Sequence, residues 1–301
     1  VMQHIDSITA MHNNDTVVMG IARDGSPTLK VYAYNKPTYA KTNLWITSQV
    51  RGLCEINING TYWMIHSDSE EDKLYAFKID ENNKIQNNTS VYSAADFRPN
   101  RLFCTRNGKV LVLDETSMPI VVHFLSTDSV PFKKIQTINT QMTKIDDIAL
   151  LEKKNLLVCT SPSTVTFIDI ASGRKFLEIT HIRNEAIVPR GLAVNQDTGA
   201  IYVINSKAAQ LHTVEIEDNN VYITNSVNIG ELREPHHLAW SPYSKSLVFA
   251  HVDKNYNRVL FWQEQKQLKG RVDTFKIHKP LFDVEKVLFY MTLVAFLLSP
   301  A

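Results

Sequence analysis

Glycine is scarce in this chain, with 10 residues among 301 and none in a GxGxxG or GxxxxGK[ST] pattern. An average protein has about 7%. Folds that cradle phosphates on glycine-rich loops are disfavoured, and most nucleotide-binding enzymes with them. Charge excess is also missing: 32 Lys and Arg face 31 Asp and Glu, a net charge of +1. No global field draws in a polyanion or an anionic bilayer, and no DNA partner is expected. The three cysteines, Cys54, Cys104 and Cys159, are too few and too far apart for a disulfide framework or a CxxC zinc site. Each lies in an apolar, strand-like run and reads as a small buried hydrophobe. Their odd number leans towards a reducing compartment, so an intracellular location, cytoplasmic or nuclear, is favoured, with secretion as the alternative. The first residues carry neither a basic region nor an apolar run, and no signal peptide is visible. No GxSxG, HExxH, EF-hand or catalytic-cysteine signature occurs, so neither catalysis nor a cofactor is expected.

Apolar residues make up 44% of the chain and charged residues 21%, which is the composition of a folded globular protein. Asn-x-Ser/Thr triplets stand at Asn14, Asn59, Asn87 and Asn88 and would permit glycosylation of a secreted chain. The dominant signal is internal repetition. An apolar column, Ile8, Leu53, Leu102, Ile148, Leu192 and Leu238, advances in steps of 45, 49, 46, 44 and 46 residues. After each core comes a polar turn and a β-branched or aromatic run: 16–23, 61–68, 109–115, 155–161, 200–206 and 246–253. A third run follows, as at 29–34, 73–79 and 164–170. A more polar fourth, as at 44–50, 175–182, 221–228 and 272–278, has the character of an outer edge strand.

A period of this length with four strands per repeat predicts an all-β chain, a six-bladed β-propeller of four-stranded antiparallel blades. One blade cannot bury both faces alone, whereas a closed ring buries each against a neighbour. The blades are expected near 5–50, 51–95, 96–140, 144–182, 189–228 and 235–278, forming one domain over 1–280, with a hydrophobic segment at 281–301. Within that segment, 287–298 are twelve uncharged residues. As a helix they would reach about 18 Å, short of the roughly 30 Å of a bilayer core. Membrane contact is expected only if the chain continues past Ala301.

Pro189-Arg190-Gly191-Leu192-Ala193-Val194, followed by Gly199-Ala200-Ile201-Tyr202-Val203, resembles the NHL repeat. Tyr62-Trp63 is similar to the start of a YWTD repeat, though Met64-Ile65 replace its Thr-Asp. His237-Leu238-Ala239-Trp240-Ser241-Pro242 is similar to WD40 and gluconolactonase-like blades, but no blade ends in Trp-Asp. All of these are propeller families, and the resemblance implies the same ring.

The residues just before each innermost strand should rim one mouth of the central channel. They are Asp6, Arg51, Asn100, Asp146, Arg190 and His236. A mixed ring of carboxylates and guanidinium groups suits a peptide or a charged side chain. The expected function is therefore a non-catalytic scaffold binding a protein or peptide through the propeller face and channel mouth. One alternative is a calcium-dependent hydrolase of the lactonase or esterase kind. Its resemblance rests on Phe97-Arg98-Pro99-Asn100, with Asp146 as a second oxygen ligand, but Arg51 and Arg190 would set positive charge against the cation. The other is RNA binding, which some NHL propellers perform on a basic face. Here the basic pairs are Lys133-Lys134 and Lys153-Lys154. His236 and His237, adjacent on one strand, point to opposite faces and should not share a metal.

Overall fold

A computed structural model describes residues 3–262, apart from 14–15, 24–25, 34–35, 42–49, 83, 218, 230–236 and 254–255. The first sheet comprises β1 (Gln3–Ala10), β2 (Thr16–Arg23), β3 (Ser26–Ala33) and β4 (Lys36–Lys41). The second comprises β5 (Leu53–Ile58), β6 (Thr61–Asp68), β7 (Lys73–Ile79) and β8 (Ile85–Ser93). The third has β9 (Pro99–Cys104), β10 (Lys109–Asp114), β11 (Val121–Ser126) and β12 (Lys133–Asn139). The fourth has β13 (Asp147–Leu151), β14 (Leu156–Thr160), β15 (Val165–Asp169) and β16 (Lys175–Ile179). A small hairpin, β17 (His181–Ile182) with β18 (Glu185–Ala186), leads to the fifth sheet. That sheet is β19 (Pro189–Asn195), β20 (Ala200–Asn205), β21 (Gln210–Glu217) and β22 (Asn220–Asn228). The last described sheet is β23 (His237–Ser241), β24 (Ser246–Asp253) and β25 (Tyr256–Trp262).

Within each of these sheets the strands lie in chain order and pair antiparallel, the meander of a propeller blade. The innermost strands of successive sheets pack side by side, and β1 packs against β23 and β24, which closes the ring. The chain is a β-propeller.

Burial explains why the repeats read as they do. Second strands are covered on both faces: all five residues of β14 and all six of β20 are buried, so their sequences are nearly continuous apolar runs. Fourth strands lie at the rim, where β12 is largely exposed and β22 alternates between exposed and half-buried, and both are correspondingly polar. Each apolar cluster lies between two sheets. Ile56, Ile65 and Leu74 meet Val110, Val112 and Leu125, and Val158 and Phe167 meet Ile201 and Val203.

The first sheet's fourth strand is Lys36–Lys41, which returns on β3 with Ala33 opposite Lys36. The run expected as a strand over 44–50 lies, but for Val50, outside the described residues. The run expected as one strand over 175–182 is split, its end paired into the β17–β18 hairpin. The expected strand at 272–278 and the hydrophobic segment at 281–301 lie outside the described residues.

Cys54 and Cys104 are not separate buried hydrophobes. They form a disulfide between β5 and β9, with their Cα atoms 5.6 Å apart. Their separation of 50 residues is close to one repeat, and a ring sets equivalent positions of neighbouring repeats side by side. Distance along the sequence therefore hid a short distance in space. Cys159 is free and buried, and burial pushes its thiol far above the usual range.

Candidate functional site

The channel has two differently built ends. At the end where the innermost strands begin, bulges re-aim the backbone. Asp6 is the extra residue between the Ile5 and Ser7 pairs of β1. Asn100 and Arg101 together lie opposite Leu113, and Arg190 and Gly191 opposite Ile204. A bulge leaves residues unpaired with the neighbouring strand and frees their polar groups to point elsewhere. The Asn100 carbonyl accepts from Ser67 and the Arg190 carbonyl from Thr160, while the Asp6 carbonyl turns to Arg101, itself a bulge residue. Its guanidinium donates to the carbonyl oxygens of Asp6, of Arg51 at 2.6 Å and of Asp146 at 2.7 Å. One side chain from the third sheet thus ties the first, second and fourth. A group that reaches both the first and the fourth sheet sits on the axis, so Arg101 stoppers this mouth.

Arg101 is largely buried. Burial pulls its pKa down, while the charges of Asp147 and Asp6 oppose that shift and keep the guanidinium charged. Asp147 is pushed up to about 6 by its own burial, against the pull of Arg101. The Asp147 carboxylate also accepts the backbone N–H groups of Ile148 at 2.9 Å and Leu192 at 3.1 Å.

The structure gathers five of the six expected rim residues around this stopper. Asp146 and Arg190 form a 3.5 Å ion pair. Arg51 and Asn100 share a cavity of about 430 Å³ with Arg98 and Glu115, where the Asn100 amide donates to Glu115 at 2.6 Å. Asp6 contributes the carbonyl already described. His236 lies outside the described residues. Arg101 was missed by the sequence reading, although a signal was present. In the column that follows each rim position, Ser7, Gly52 and Gly191 are small, while Arg101 and Asp147 are opposite charges in adjacent repeats.

At the other end the axis opens into a cavity of about 720 Å³, reached between the turns that follow the innermost strands. These turns are laced to one another across the seams between sheets. The Arg106 N–H donates to Glu152 at 3.0 Å, and the Glu152 N–H to the Gln196 side chain at 3.1 Å. Asp197 pairs with Arg106 at 2.7 Å and with Lys245 at 3.1 Å. Between the first two sheets, Glu55 accepts the His12 backbone N–H at 2.8 Å on Oε2, and the His12 ring, 3.2 Å from the same oxygen, stacks on Tyr62.

Glu55 is the unusual group of this cavity. Its side chain is 8% exposed. Burial pushes its carboxyl up to about 7, although the His12 N–H works the other way. Burial also lowers the His12 ring. The contact is therefore closer to a neutral hydrogen bond than to an ion pair near neutral pH. Glu55 Oε1 and the indole N–H of Trp240, both in the cavity wall, have no hydrogen-bond partner among the described residues. Buried polar atoms are nearly always paired, so two idle ones covered within the wall of one cavity single it out as the candidate ligand site. Among the described residues, no group of three or more His, Cys, Asp or Glu is placed to hold a metal ion.

The sequence matches no protein-family model and no curated protein. Solved structures with the same fold are numerous. A protein from Lactobacillus plantarum has a TM-score of 0.61 at 9% identity, the match covering 93% of this chain and 85% of that one. The β-propeller domain of Cps50 (Swd1) from Myceliophteria thermophila follows at 0.59 and 9%, covering 92% and 87%. A nidogen/laminin complex contains a chain at 0.58 and 9%, covering 78% and 84%. At such identities the likeness is one of fold.

Proposed function

We propose that this propeller is a non-catalytic interaction module, that its ring has six blades, and that the open end of its channel receives a segment of a protein or peptide partner. The observation that carries this reading is the 720 Å³ cavity with the idle Glu55 oxygen in its wall. Asp128, Asp147 and Glu152 also line it, whereas its one guanidinium, Arg106, is engaged by Asp197. The complementary group is a cationic side chain, Lys or Arg, carried on an extended segment. Delivering a cation beside Glu55 would draw its carboxyl back towards the ionised form and complete its hydrogen bonds. The nidogen/laminin structure adds that a propeller-like chain can occur in a protein complex.

The hydrolase alternative placed a cation between Asn100 and Asp146. The Arg101 guanidinium occupies the axis beside them, and the Asn100 amide is already engaged with Glu115. Positive charge at that point opposes a calcium ion and favours the non-catalytic reading. For RNA, no observation adds to the two lysine pairs.

The test is selection from a displayed random-peptide library on the intact protein and on Glu55→Gln. Enrichment of Lys- or Arg-containing peptides by the intact protein, reduced at least about tenfold in affinity by the substitution, is the expected outcome. Peptides without basic residues, or peptides indifferent to Glu55→Gln, would count against the proposal.

A further inference from the structure

The second sheet carries two features that point to the same chemical environment. One is the Cys54–Cys104 disulfide. Persistent structural disulfides belong to oxidising compartments, since cytosolic thiols are kept reduced. The remaining cysteine, Cys159, is buried and inert, so it is shielded from exchange with the bonded pair.

The other feature is the placement of the Asn-x-Ser/Thr triplets. Asn14 lies outside the described residues. Asn59 is exposed at the tip of the β5–β6 hairpin, in left-handed conformation with φ 51°, and its side-chain amide makes no hydrogen bond among the described residues. Asn87 is exposed on β8, the outer edge of the sheet, where the pairing with β7 shifts register between Ala76 and Lys78. Its side chain is likewise without a hydrogen bond among the described residues, and the Thr89 hydroxyl of the same triplet donates to its backbone carbonyl at 3.3 Å. Asn88 is different, because its side-chain oxygen lies 3.4 Å from Nε2 of the buried His66. Of the two overlapping triplets, the one headed by Asn87 is therefore the one whose side chain is not held against a buried residue of the sheet.

We propose that Asn59 and Asn87 are N-glycosylation acceptors, and that the chain matures in the oxidising secretory compartment where Cys54 and Cys104 are joined. This goes beyond the binding role proposed above, and it replaces the reducing compartment inferred from the odd cysteine count. In the transfer, each amide nitrogen forms a bond to the anomeric carbon of an oligosaccharide carried on a lipid diphosphate. The bond from that carbon to the phosphate oxygen breaks, the lipid diphosphate leaves with the electron pair, and the amide gives up one proton. Disulfide formation removes two protons and two electrons from the thiols and passes them to a disulfide-bearing oxidant, which becomes a dithiol.

The experiment uses the protein isolated from the cells that make it. It is alkylated before any reduction, digested, treated with a peptide-N-glycosidase in heavy-oxygen water, and mapped by mass spectrometry. The expected result is Asn59 and Asn87 both converted to heavy-oxygen-labelled Asp, with the Cys54 and Cys104 peptides linked and unalkylated. Unlabelled Asn59 or Asn87, label at Asn88 in place of Asn87, or alkylated Cys54 and Cys104 would overturn it. The mapping is read independently of peptide selection, and Asn59, which also belongs to the cavity lining, sets a glycan at the edge of that mouth.

Discussion

His12 and Glu55 meet across the seam between the first and second sheets, one carboxylate oxygen accepting the His12 backbone N–H at 2.8 Å with the imidazole stacked on Tyr62 beside it. Burial raises the Glu55 carboxyl from 4.5 to about 7. Between those pH values the folded chain holds a proton that the unfolded chain has released, so stability falls as pH rises through the window. The expected loss between pH 5 and 7.5 is on the order of 2 to 3 kcal/mol. His12, with its pKa lowered, works in the opposite sense as pH falls below its usual value. Glu55→Gln should flatten the profile in urea denaturation at the two pH values. Parallel profiles for the two proteins would refute the assignment.

Arg101→Met removes the donors that serve the carbonyls of Asp6, Arg51 and Asp146 and leaves Asp147 without its cation. A cost of about 3 kcal/mol is expected, because the partners left behind are desolvated. Arg190→Ala, which breaks only a 3.5 Å pair at a more exposed position, should cost under about 1 kcal/mol. Denaturation midpoints in guanidinium chloride would rank the two, and equal costs would contradict the stopper role.

A β-carbon on Gly52 would run into the Asn100 carbonyl and Leu102 of the neighbouring third sheet. Gly52→Ala should therefore destabilise the fold by about 1 to 3 kcal/mol. Gly173→Ala meets open space, and its cost of about 1 kcal/mol comes from its φ of 66° alone. Thermal melts of both variants separate crowding from backbone strain, and a Gly52→Ala protein as stable as the parent would exclude crowding.

The disulfide closes a loop across two sheets, and by chain entropy its loss should cost about 2 to 4 kcal/mol. A reducing agent should lower the melting temperature of the parent protein to that of the Cys54→Ser/Cys104→Ser double variant and leave the variant unmoved. If reduction shifts both equally, the bond is not the cause.

The ring was legible in the sequence because each repeat repeats its burial: the apolar column from Ile8 to Leu238 is buried at all six positions. The second-strand runs 16–23, 61–68 and 246–253 are strands with those bounds. Edge strands are harder to read, since a strand with one wet side carries a weaker pattern, and Lys36–Lys41 has no apolar alternation to mark it. At the rim, residue types indicated polarity but not direction. Asp6, Arg51 and Asp146 serve the channel with backbone carbonyls, to which side-chain identity is blind. The pairing of Cys54 with Cys104 follows once the ring is known and is invisible before that. Glu55 lay inside an apolar strand whose period gave no reason to expect a buried carboxyl.

The single guanidinium across the axis also makes the two ends of the channel chemically unlike. A ring of blades could be symmetric from face to face. Here one end is crossed by a cationic side chain held by carbonyls of three other sheets, while the other is lined by the carboxyl groups of Glu55, Asp128 and Glu152. A charged group therefore meets opposite fields at the two mouths, and the direction of approach is written into the ring.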